Sequence, residues 1–346
     1  MVLRLLILIS TLAFSTSLHA EQVHTLKFAT LIPTGTSWTT ILDDWIKEVE
    51  TKSGGRIKFK MYPGGIMGDE PDVLRKMRKG QLHGGLFTGY GIGRIYSPAR
   101  VLEVPFLFKN ITESDYVRDK LMSDIEIGFR KNGFKLLGWP EVGFIHFFSK
   151  HRIDSLEDVQ MSRIWLWQGD PLGEAFFNAS GVSPVPLSII DVYTQISAKH
   201  GSVDTVYISP FGAIALQWHT KLKYGTIMPL TNAIGALTIT NRFYNRLPED
   251  LKNLLVTTGK IASDKIRMQA RIENEKSLQI LKDSGIEFLW SKEDIEFDTI
   301  IELRNKAAKY LEDTNYIPKQ LFSRVEELLA EIRQTNAPTS TKTIPQ

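Results

Sequence analysis

Residues 163–210 read RIWLWQGDPLGEAFFNASGVSPVPLSIIDVYTQISAKHGSVDTVYISP, and their reading decides the fold. The stretch predicts strand, helix, strand, helix, strand. In Arg163–Trp167 successive side chains alternate between two faces. Ile164 and Leu166 share a face suited to a core, while Arg163, Trp165 and Trp167 share the other. Gln168, Gly169 and Asp170 turn the chain into a helix opening at Pro171, a favoured first helical position. Free N–H groups at such a helix start attract oxygen acceptors or negative charge. An aromatic surface therefore lies beside a polar, partly positive edge.

The same rhythm extends outward. Leu26–Leu31 is an apolar strand, and Ser37 is placed to cap the helix after it. Trp38, Ile41, Leu42, Trp45, Ile46 and Val49 recur at helical spacing, and Gly54–Gly55 end that stripe. Residues 57–61 alternate as a half-exposed strand, Pro71–Lys79 is a helix, and Gly84–Thr88 a buried strand. Asp115–Lys131 reads as a helix, with Phe134–Trp139 and Val142–Phe148 as strands. Pro171–Ser180 is a helix, Val182–Val185 a strand, Ile189–Lys199 a helix capped by Ser188, and Val203–Ser209 a strand. Ala233–Thr240 is a further strand. This alternation argues for an α/β fold built of parallel units. Then the rhythm changes: Pro248–Asp283 reads as one long helix, followed by helices over Lys292–Glu312 and Pro318–Arg333. The long helix reads as a coiled coil or as a tie across two lobes, and sustained heptads are not evident.

Composition bounds the function. The first twenty residues carry Arg4, an apolar run from Leu5 to Phe14 and a small-residue end at Ala20. That is the pattern of a secretory signal peptide cleaved after Ala20, and the run is too short to span a bilayer. Removing Arg4 from 42 Lys and Arg leaves 41 against 39 Asp and Glu, a net charge of +2. With no basic block, nucleic acid is not an expected partner. The chain has no cysteine, which excludes a cysteine-anchored lipoprotein, disulfides and thiol catalysis. The length suits two domains. Residues 336–346 read as a polar, loose tail.

No catalytic constellation emerges. The seven histidines form no H-E-x-x-H, and His146 and His151 straddle a chain crossing rather than a shared metal. There is no G-x-S-x-G elbow and no phosphate-binding loop. Gly89, Gly91 and Gly93 lack dinucleotide-fingerprint spacing and read as a flexible cleft loop. Asp43–Asp44 form a solvated helix face. No cofactor, metal or catalytic residue is expected.

The cleft candidates follow strand ends and helix starts, where α/β folds bind ligands. They are Thr30, Leu31, Ser37, Trp38, Glu70, Thr88, Tyr90, Trp139, Phe144, His146, Arg163, Trp165, Trp167, Gln168, Asp170, Tyr207, Ser209, Gln217 and Trp218. The competing reading for each is core or hinge packing. His146 fits a satisfied core histidine as well as a ligand contact, and Asp170 fits a helix cap.

Several stretches agree serially with one family: residues 163–210, LKFATLIPTGTSW (26–38), PGGIMGDEPDVLRKMRKGQL (63–82), VLEVPFLFKN (101–110), GWPEVGF (138–144) and TNRFYNRLPEDL (240–251). Together they resemble the solute receptors of TRAP transporters (tripartite ATP-independent periplasmic), DctP type. The resemblance implies a two-lobed, type II-like periplasmic binding protein whose long helix spans both lobes. Residues 21–148 plus 232–262 would form the first lobe, 149–231 plus 263–335 the second, with crossings near Phe148–Ser155 and Thr226–Asn232. It also implies a monomer that hands a small organic ligand to a membrane permease of small and large subunits, in some branches with a helical-repeat periplasmic partner.

Most such receptors carry an arginine in the 163–167 strand that grips a substrate carboxylate bidentately. Here Trp165 or Leu166 aligns with that arginine, and the W-x-W-[QE]-G-D-P form resembles a branch with more hydrophobic clefts. An apolar or partly apolar ligand is the first expectation. A small carboxylate held by Arg163 or by helix-end N–H groups is the second, and a secreted two-lobed enzyme is the alternative from another class.

Overall fold

The computed structural model describes residues 22–290 and 297–335. Its opening elements are β1 (His24–Thr30), α1 (Ser37–Lys52), β2 (Ile57–Tyr62), α2 (Glu70–Arg78), β3 (Gly84–Thr88) and α3 (Gly89–Ile95). A 3₁₀ turn over Ser97–Glu103 leads to α4 (Ile111–Lys131), β4 (Phe134–Gly138), β5 (Glu141–Ser149) and α5 (Leu156–Met161). Next come β6 (Trp165–Trp167), α6 (Pro171–Ser180), β7 (Val185–Leu187), α7 (Ile189–Ser197), β8 (Thr205–Ile208) and α8 (Pro210–Ala215). The chain closes with β9 (Tyr224–Thr226), β10 (Thr231–Thr240), α9 (Asn241–Tyr244), α10 (Glu249–Asp283), β11 (Glu287–Leu289), α11 (Phe297–Asp313) and α12 (Lys319–Thr335).

The two lobes share one sheet, ordered β11-β9-β5-β10-β3-β1-β2, with β4 added beside β10 and β8 beside β5. β1 pairs parallel with β2 and β3, as the strand–helix rhythm requires. β10 runs antiparallel, bonding β5 with its first residues and then β3 and β4. β5 exchanges β10 for β8 between Ile145 and His146. Two long strands, β5 and β10, thus each pair with more than one neighbour along their length.

α10 is the tie across the lobes. It packs on α1 and β4 of the first and on α8 of the second. Its buried stripe includes Leu255, Ala262, Ile266, Ala270 and Leu281 at helical spacing. At Gly259 a Cβ would stand 2.9 Å from Leu137, so only glycine lets the helix lie this close to β4. Arg271 fastens α10 to Glu141 (2.6 and 2.8 Å) and Asp115 (2.6 and 2.9 Å).

Several expectations shift. Thr36, not Ser37, caps α1, through a reciprocal bond with Thr39. The strand expected at Val182–Val185 lies at Val185–Leu187, where it pairs with β6. Ser188 occupies the cap position of α7, but its hydroxyl bonds elsewhere. The Gly89–Gly93 loop is the helix α3. α12 packs on α4 and the Ser97–Glu103 turn. The expected signal peptide, the expected tail and the start of the expected Lys292–Glu312 helix fall outside the described residues.

Candidate functional site

A cleft of about 210 Å³ opens between the lobes. Eleven expected residues line it: Thr30, Leu31, Trp38, Glu70, Thr88, Tyr90, Trp165, Trp167, Asp170, Tyr207 and Ser209. β6 delivers its two tryptophans by strand alternation, since Ile164 and Leu166 join a separate core behind the strand. Trp165 stacks on Tyr207 (5.0 Å) and Trp167 on Tyr90 (4.6 Å). Their indole N–H groups are already engaged: Trp165 Nε1 donates to the Leu187 carbonyl (3.0 Å) and Trp167 Nε1 to Asp69 Oδ2 (2.9 Å). Both line the cleft with carbon rather than N–H, Trp167 at 8 % exposure and Trp165 at 1 %, where nearly all of its ring packs on Tyr207, Trp167 and Trp218. Trp38 Nε1 is buried and has no hydrogen-bond partner among the described residues.

Eight expected residues lie outside the lining. Arg163 turns to solvent, its Nε 2.9 Å from Asp204 Oδ2. The cause is local: pairing with β7 begins only at Trp165, and the Arg163 backbone is held by Asp204 instead. His146 is buried with Nδ1 2.8 Å from the Thr226 carbonyl, and burial lowers its pKa to about 4. It is a neutral core histidine. Trp139 packs edge-on against Phe129 in the first lobe. Phe144 faces a separate cavity with Asn232 and Arg333. Trp218 is buried edge-on behind Trp165 (5.4 Å) and supports it. Gln168 and Gln217 are exposed, and Ser37 stays on α1 beside Trp38.

An ionic wall faces the tryptophans, and the sequence reading missed its centre. Arg100 is 3 % exposed and grips Asp170 bidentately, Nη1 to Oδ1 at 2.9 Å and Nη2 to Oδ2 at 3.1 Å. Its Nε meets Glu103. Burial alone would lower the Arg100 pKa, but Asp170 and Glu103 hold it well above the usual value. Burial outweighs Arg100 at Glu103, whose pKa is raised. Asp170 also caps α6, accepting from the Leu172 N–H at 3.3 Å. Arg100 is the sole cation among the described lining residues. The available signal was a charged pair three residues apart inside the apolar run YSPARVLEVPFLF (96–108).

Glu70, 2 % exposed, accepts from the Thr88 N–H (2.7 Å), the Thr88 hydroxyl (3.0 Å) and the Gly91 N–H (2.6 Å). Those donors favour the charged form, yet burial dominates and raises its pKa to about 8. Gly91 admits it, since a Cβ there would sit 2.6 Å from Oε2.

The lobes meet over the cleft. Asp69 Oδ2 accepts from Trp167 Nε1, from the Ser188 hydroxyl (2.6 Å) and from the Ile189 N–H (3.2 Å). Tyr90 donates its hydroxyl to the Gln168 carbonyl (2.7 Å), and Trp38 stacks on Phe211 (4.7 Å). This is a closed arrangement, with polar bonds at the rim and apolar surface within.

The family model described as "Bacterial extracellular solute-binding protein, family 7" (DctP) matches residues 28–309. A solute-binding protein of Verminephrobacter eiseniae is 27% identical over 248 residues, 71% of this chain and 73% of that one. The 2,3-diketo-L-gulonate-binding periplasmic protein YiaO of Escherichia coli is 21% identical over 248 residues, 70% of this chain and 73% of that one. Among solved structures, a TRAP periplasmic solute-binding protein from Desulfovibrio salexigens with bound orotic acid superposes with a TM-score of 0.80. It is 18% identical and covers 89% of this chain and 99% of that one, a likeness of fold.

Proposed function

The chain belongs to the DctP family of bacterial extracellular solute-binding proteins, binding proteins rather than enzymes, and on that premise we propose that its cleft takes an apolar or partly apolar organic ligand for delivery to a TRAP-type membrane permease. One observation carries the ligand class. Trp165 and Trp167 form a wall with no polar group left to offer, beside Leu172, Phe176 and Phe211. Burying carbon surface there is favourable by roughly 25 cal/mol per Å². A single acceptor on the ligand would meet the Trp38 N–H, whose burial without a partner is costly.

One relative is named for an acid, 2,3-diketo-L-gulonate. Arg163 faces solvent, and Asp170 already caps the α6 start, so neither offers an acid a free positive partner. Closure of the two lobes over the ligand is the signal read by the permease.

The test is Trp165→Ala, titrated calorimetrically with the ligand recovered from the wild-type protein. Binding weakens by ~1–3 kcal/mol if the indole packs on ligand. Unchanged affinity removes Trp165 from the site and the proposal with it.

A further inference from the structure

The guanidinium fork of Arg100 is the one group on the cleft wall, among the described residues, with the shape to receive a carboxylate. It is filled from within. Asp170 places both oxygens on the fork, as a bound acid would, and the Glu103 carboxylate lies against Nε as an ion pair. All three side chains are at most 6 % exposed, so their charges act in a poorly screened medium. Two carboxylates already share one cation, and a third would add repulsion without a partner.

We propose that Asp170 is a resident carboxylate that occupies the Arg100 fork and sets the receptor against acid ligands, and that Arg100 is a latent carboxylate site. This deepens the ligand reading above and rests on it. Asp170 is then a specificity-determining residue. It holds the fork from the first residue before α6, on the same turn that carries Trp167 into the cleft. The aromatic wall selects for carbon surface, and the filled fork selects against anions.

The geometry allows a gain-of-binding test. Asp170→Gly removes a carboxymethyl group, which is acetate less one hydrogen. Glycine is tolerated at a helix cap, and Arg100 with Glu103 remains a balanced pair. Melting temperature is followed during titration with sodium acetate at constant ionic strength, with acetamide as the uncharged control. Asp170→Gly is expected to show a saturable rise with acetate and none with acetamide, its acetate affinity at least about tenfold above wild type. Arg100→Met/Asp170→Gly is expected to lose the rise.

No acetate-specific rise, an equal rise in wild type, or a rise that survives loss of Arg100 overturns the inference. If Asp170→Gly does not fold, Asp170→Ser keeps a capping oxygen and is scored by the same outcomes. Absence of rescue leaves the Trp165 result standing, while an inert Trp165→Ala sinks the ligand reading without altering the acetate result.

Discussion

Trp165–Trp167 and Arg100–Glu103 face the same cleft and are built in opposite ways. The tryptophans spend their N–H groups on Leu187 and Asp69 and turn carbon toward the ligand. The charged turn spends Arg100 on two hydrogen bonds to Asp170 and an ion pair with Glu103, and turns a charge-paired cluster toward it. The tryptophan N–H groups and the charges of the ionic turn are engaged within the protein. The difference lies in how each would fail. A buried apolar wall loses packing when truncated. A buried ionic wall stays intact only while its charges remain paired.

The sharpest way to break the comparison is Arg100→Met. It strands two buried carboxylates, and a loss of about 3–5 kcal/mol in urea unfolding is expected. Arg100→Met with Glu103→Gln and Asp170→Asn is expected to recover much of that loss, because no charge is then left unpaired. Equal destabilisation of the single and triple variants would show that packing, not charge, holds this wall.

A smaller effect lies at Glu70. Its carboxyl keeps a proton to about pH 8 when folded, against 4.5 for an ordinary glutamate. Between those values the unfolded chain has released a proton that the folded chain retains, so stability is full below pH 4.5 and falls as pH rises through 8. Glu70→Gln is expected to flatten that fall by about 1–4 kcal/mol, read from urea midpoints across the window. An unchanged slope would mean that the three donors keep Glu70 ionised.

The smallest effect is expected at Arg163→Met. Its side chain is 55% exposed, so losing the Asp204 pair costs about 0–1 kcal/mol and leaves ligand affinity unchanged. Loss of binding would return Arg163 to the cleft.

The aromatic wall was legible in sequence because its determinants are local. Strand alternation puts Trp165 and Trp167 on one side, and Asp170, Pro171 and Gly181 mark both ends of α6. The same alternation misplaced Arg163, because strand pairing starts two residues later. The ionic wall was hidden because its partners lie 70 residues apart.

α3 was hidden for a related reason. Glycines are poor helix formers, yet a Cβ at Gly89 would collide with Glu103 and one at Gly93 with the Tyr316 hydroxyl. What reads as flexibility is space for a buried cluster. Likewise the Trp38–Phe211 stack joins two helices whose own periodicity says only that each has an apolar face.

The most direct test of the ligand class is native mass spectrometry of the protein isolated from periplasm, followed by denaturing extraction of whatever it carries. An uncharged, apolar or aromatic molecule is the predicted passenger. A small organic acid would contradict the account, since it would require a positive partner in the cleft that Arg100, held by Asp170 and Glu103, does not supply.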